Sequence, residues 1–200
     1  MIPTYEDYKK SNARWNFTHN DTNFLVGFHG VNKYCPDGIW TYYVFFDEIM
    51  FQNKDDWKLF DLQPEITKPY NSYRECFPYY NIPELPWHGG PTFGEKIKKI
   101  YSKTGEYRTI LKIGCDYSHI WDEEYDYPYN LDIVKLDAKN LINEFHRRFP
   151  QNRRCSYSGV VDKPDEFYVA KNGKHIHNSS LKLILKNNWP SWEPAESNII

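Results

Sequence analysis

The sequence predicts an α+β fold, a mainly antiparallel sheet with one long helix packed on it, and three observations carry that prediction. Short segments dense in aromatic and β-branched residues recur between turn-forming residues, as at Thr22–Phe28 and Ile39–Phe51. One segment, about 131–148, repeats apolar residues at spacings of three and four. An Asn-Gly pair at 172–173 lies between two strand-like runs, as in a hairpin. Several strands with one strong helix make a single α+β domain over residues 1–200.

Taken in order, residues 1–20 are polar and aromatic by turns, with Tyr5 and Tyr8 spaced for a short helix. Thr22–Phe28 reads as a strand ending at a His29-Gly30 turn, and Tyr34-Cys35-Pro36-Asp37-Gly38 reads as a turn. Ile39–Phe51 is the most β-like segment; Asp47 and Glu48 interrupt it, and Glu48 is either solvent-facing or catalytic. Residues 52–86 carry Pro64, Pro69, Pro78, Pro83 and Pro86, which exclude a helix or central strand and predict a long connection. Lys96, Lys98, Lys99 and Lys103 beside Ile97, Ile100 and Tyr101 suit a short exposed helix or a strand extension. Tyr107–Cys115 alternates as a strand does, and residues 122–128 make an acidic turn. The helix follows, with Asn130 or Asp132 as cap, Ile133, Val134, Ala138, Leu141, Ile142 and Phe145 on one face, and Arg147 and Arg148 at its C-terminal end. Ser156–Val161 and Glu166–Ala170 read as strands, Leu181–Lys186 as strand or helix, and 189–200 as a loosely attached arm.

Composition narrows the function classes. The chain has 200 residues and a formal charge of −2 with its charges well mixed, so no basic stripe follows an extended nucleic acid. A single phosphorylated small molecule needs only a few local groups and stays open. The N-terminus shows no apolar leader and no run approaches a membrane span, which predicts a soluble, cytoplasmic protein with no membrane partner. Cys35, Cys76, Cys115 and Cys155 lie about forty residues apart with no zinc-type spacing, in keeping with reduced thiols. Aromatic residues reach 18 %, chiefly 17 Tyr, 12 Phe and 7 Trp, a biased residue pool that also supplies contact surface; a homo-oligomer stays open.

Two motifs carry chemistry. In Trp87-His88-Gly89-Gly90-Pro91-Thr92-Phe93-Gly94 a histidine that titrates near neutrality precedes a glycine pair whose amides can form an anion nest, and Thr92 adds a hydroxyl. The competing reading is a bend held by a structural His88. In Gly114-Cys115-Asp116-Tyr117-Ser118-His119-Ile120-Trp121-Asp122 the residues Asp116, His119 and Asp122 fall three apart, a spacing that suits a His–Asp acid–base pair or a divalent metal, and equally local capping. His175 and His177 alternate on one side of a strand; two such histidines without a third ligand are more simply a surface strand.

The succession Trp40-Thr41-Tyr42-Tyr43-Val44, His88-Gly89-Gly90-Pro91-Thr92-Phe93, Ile113-Gly114-Cys115-Asp116-Tyr117-Ser118-His119 and a helix from about Leu131 resembles a family of small proteins common in phage genomes. Those read W-C-G-Y-V, V-H-G-G-L-T-[YF] and G-F-D-C-A-H-x-G-D before a C-terminal helix. Order and spacing match over about 38–146, which marks about 38–149 as the family-like core. Here Pro91 replaces an aliphatic residue, Thr41 the first motif's Cys, and Cys115 the Phe of Gly-Phe-Asp; Asp122 stands for the last acid. The resemblance implies viral origin and emphasis on His88, Gly89, Gly90, Thr92, Asp116 and His119. By analogy with such proteins it points to anti-defence action on a host nucleotide signal.

Residues and resemblance together predict a protein that binds and hydrolyses a phosphorylated, nucleotide-like small molecule, with a phosphodiester as target. His88 and His119 would be base and acid, with Asp116 orienting one of them; Trp87, Gly89, Gly90, Thr92 and Tyr117 would contact the ligand. A divalent metal on His88, Asp116 and His119 is a second route. The rivals are non-catalytic sequestering of the same ligand and a protein-binding inhibitor of a host enzyme.

Overall fold

The computed structural model describes residues 12–30, 38–60, 84–100, 105, 107–117, 129–170 and 173–186. Strands β1 (Ala13–His19), β2 (Thr22–Phe28), β3 (Trp40–Asp47), β4 (Phe93–Ile100) and β5 (Tyr107–Tyr117) form one antiparallel sheet in the order β1-β2-β3-β5-β4. A short helix α1 (Lys54–Lys58) follows β3, and the long helix α2 (Leu131–Arg148) packs on the sheet. The molecule is thus α+β, as the residue pattern predicts. No helix of the described residues is long and apolar enough to cross a membrane.

Alternation sorts the sheet into two unlike faces, because successive strand residues point opposite ways. Trp40, Tyr42, Val44 and Phe46 of β3 and Leu111, Ile113, Cys115 and Tyr117 of β5 point inward and are buried. They meet Val134, Ala138, Leu141, Ile142 and Phe145 of α2; the Phe46 and Phe145 rings stack with centroids 3.9 Å apart. Asn130 caps α2, its side chain accepting from the Asp132 and Ile133 amides. The outer face carries Tyr43, Phe45, Asp47, Arg108, Ile110, Lys112 and Asp116, set by the β3–β5 register that pairs Thr41 with Asp116 and Asp47 with Ile110.

Several local expectations change. β1 arises from residues read as irregular: Trp15 and Phe17 pack inward and Arg14 and Asn16 are exposed, while Asn20 and Asp21 turn the hairpin at φ 47° and 60°. The strand expected to reach Phe51 stops at Asp47, whose carboxylate caps a 3-10 turn, Glu48–Met50, by accepting from the Ile49 amide at 3.3 Å. Lys96, Lys98 and Lys99 lie on β4, where edge position accommodates their charge. Residues 156–161 are mostly a turn between β6 (Arg153–Arg154) and β7 (Val161–Asp162), because Gly159 at φ 79° reverses the chain. A second hairpin joins β8 (Phe167–Val169) to β9 (His175–His177), and residues 178–186 are helical, as α3 (Asn178–Lys186). The expected Tyr5/Tyr8 helix, the Tyr34–Gly38 turn up to Asp37, the proline-rich 61–83, the acidic turn and the arm 189–200 lie outside the described residues.

Candidate functional site

β5 links two polar sites of different character, one at each end. At its C-terminal end the loop 84–92 approaches the sheet, and the Thr92 amide donates to the Gly114 carbonyl at 2.9 Å. Only glycine fits at 114, since a Cβ there would lie 2.1 Å from the Tyr42 carbonyl oxygen. The His88 imidazole lies flat on the Tyr117 ring, centroids 3.9 Å apart and planes 13° apart, with Tyr129 edge-on at 5.4 Å. Tyr117 Oη donates to Asp137 Oδ2 of α2 at 2.7 Å. Burial and that carboxylate push the Tyr117 hydroxyl far above its ordinary range, so it acts as a proton donor to Asp137 throughout neutral pH. Burial likewise pushes the Cys115 thiol up to about 12, despite donors from Tyr42 and the His88 main chain. Trp87 is half-buried, and its Nε1 is a buried donor with no hydrogen-bond partner among the described residues. Gly89 and Gly90 have φ of 64° and 99°, and no atom of the described residues lies within 4 Å of where a Gly90 Cβ would stand.

The predicted site residues therefore separate. His88, Trp87, Gly89, Gly90, Thr92 and Tyr117 share this end, although Tyr117 is 3 % exposed and covered by the imidazole. Asp116 points from the other face of β5: it pairs with Thr41, whose hydroxyl contacts His29 Nε2 at 3.3 Å. His119 and Asp122 lie outside the described residues. Among the described residues no three His, Cys, Asp or Glu side chains gather as a metal site. His175 and His177 meet carboxylates singly, Asp21 at 3.3 Å and Asp162 at 3.5 Å.

At the N-terminal end of β5, roughly 30 Å away along the strand at about 3.3 Å per residue, lies a cavity of about 440 Å³. Two guanidiniums meet there at one carboxylate oxygen: Arg154 Nη2 is 2.8 Å and Arg108 Nη1 3.4 Å from Asp47 Oδ2. The Arg108 side chain is 2 % exposed, and Lys99, opposite Arg108 across the β4–β5 register, adds a third cation to the wall. Burial pushes the Asp47 carboxyl up, and the Ile49 amide and Arg108 pull it part of the way back. The wall also holds His146, whose ring contacts the Thr22 hydroxyl at 2.9 Å; burial, then Arg153, lowers it to about 4, so it is neutral at pH 7. Cys155 lines the wall too. Burial alone would raise its thiol, but the Ser158 hydroxyl and amide, the His177 amide and Ser180 together lower it to about 7.

Arg108 and Arg154 lie 46 positions apart and belong to no motif, so the sequence alone does not single them out. One usable signal is Arg108 within the β5 alternation beside Asp47 at the end of the strongest strand. Comparison with family models, curated proteins and solved structures finds no match to this chain in any of the three.

Proposed function

We propose that this protein binds a small phosphorylated, nucleotide-like molecule in the Arg108–Arg154 cavity and holds it without turnover. The observation that carries the reading is the pair of guanidiniums converging on one carboxylate oxygen inside a concavity of about 440 Å³. Each guanidinium presents five donors in a planar fork, so such a pair can serve Asp47 and a phosphate together. Among the described residues the lining holds the cations Lys99, Arg108 and Arg154 and the carboxylates of Asp47 and Asp21, and Asp21 is further engaged by Arg153 at 3.2 Å. The ligand class and an anti-defence role in the host cytoplasm come from the phage-family resemblance.

Calorimetric titration with nucleoside monophosphates and pyrophosphate tests this. Wild-type protein should bind them, Arg154→Gln should weaken binding at least tenfold, and mass spectrometry after heating should recover the ligand intact. No binding, or equal binding by the variant, removes the reading.

Hydrolysis at the His88 loop is the second reading, favoured by the two left-handed glycines that follow an imidazole fixed by stacking. In that case products accumulate, and His88→Ala or His119→Ala abolishes them. A divalent metal at His88 would draw on residues beyond Asp116, which faces away.

A further inference from the structure

Resting on the cavity as the phosphate site, we infer that the ligand is a nucleoside 5′-monophosphate whose base lies on Phe45. A second concavity adjoins the charged cavity on the outer sheet face. The two share Thr18, Asn23, Phe45, Lys99 and Ile110 in their walls. The chemistry changes from one to the other. The Asp47 end is ionic, and the Phe45 end offers an aromatic ring, an aliphatic side chain, two amides (Asn16 and Asn23) and a hydroxyl.

Phe45 is half-buried on the outer face with Lys99 Nζ 6.0 Å over its ring. A nucleobase laid on that ring gains stacking, and the ammonium adds an electrostatic contact. Asn23 stands directly opposite Phe45 in the β2–β3 register, and Asn23 is in turn opposite Thr18. Thr18 Oγ1 donates to Asn23 Oδ1 at 2.8 Å, which commits the amide oxygen and leaves its NH₂ for an acceptor on a base edge. The length of the ligand follows from the strand. Phe45 and Asp47 are two residues apart on one face, about 7 Å, the reach of one ribose between a base and its 5′-phosphate. A dinucleotide would overrun the ionic end.

Titrating AMP, GMP, CMP and UMP against ribose 5-phosphate tests the inference. At least one nucleotide should bind tenfold or more tightly than ribose 5-phosphate. Phe45→Ala should erase that advantage while ribose 5-phosphate affinity stays constant, which also reports an intact fold, and Phe45→Tyr should keep it. Equal affinity for nucleotides and ribose 5-phosphate, or equal loss of both in Phe45→Ala, overturns the base subsite and leaves the phosphate site standing. If neither binds, or Arg154→Gln leaves both unchanged, the phosphate site falls and the base subsite with it.

Discussion

The two ends of β5 hold polar groups in opposite ways. At the His88 end, hydroxyl and imidazole are packed among rings, and Tyr117 sends its one proton to Asp137 at 2.7 Å. At the Arg108 end, charges of both signs share a cavity, with Asp47 serving two guanidiniums and the Ile49 amide. An aromatic stack buries its polar groups among rings; a cavity whose described walls hold three cations and two carboxylates suits the anionic occupant we propose. The motif that looks chemical in the sequence thus lies at the aromatic end, and the end we propose to hold a ligand carries no motif.

Asp47→Ala should disturb that contrast most. The ionised carboxylate contributes little net stability because burial opposes it, but removing it leaves two guanidiniums facing each other and uncaps the Glu48–Met50 turn. A loss of about 3–5 kcal/mol in urea unfolding is expected, recovered in part when phosphate is added. Tyr117→Phe at the other end should cost only about 1–2 kcal/mol, with no phosphate rescue. Rescue of both variants, or of neither, would erase the distinction between the ends.

The smallest effect is a pH dependence belonging to the cavity alone. His146 has a folded pKa of about 4 and an unfolded one near 6.5, so the unfolded chain takes up the proton first. Its contribution is complete above pH 6.5 and lost as the pH falls from 6.5 toward 4, roughly 1–2 kcal/mol given its partial exposure. Unfolding curves of wild type and His146→Gln should converge across that window; parallel curves would mean the ring is not held neutral.

Elements held by local pattern were legible. α2 was read with its observed bounds, because apolar spacing, the Asn130 cap and the terminal arginines agree with each other and with the core. β1 was not, although Arg14, Asn16 and Thr18 alternate with Trp15 and Phe17, since the turn that creates it depends on two non-glycine residues at positive φ. Ser156–Val161 looked like a strand by composition, and Gly159 made it a turn. His88, Gly89 and Gly90, grouped as one motif in the sequence, do sit together in the loop at the C-terminal end of β5. Whether Asp116 and His119 share a face was not decidable there, because three-residue spacing implies a shared face in a helix and opposite faces in a strand, and Asp116 lies on β5.

The amino-acid sequence by itself determined the fold class, the long helix, most strands of the sheet and the Gly-Gly loop, all of which follow from interactions between residues close in the chain. Only the tertiary structure decided which face each polar residue occupies and that Asp47, Arg108 and Arg154 converge. Convergence of side chains 61 and 107 positions apart is a matter of strand register and packing, which no local pattern encodes.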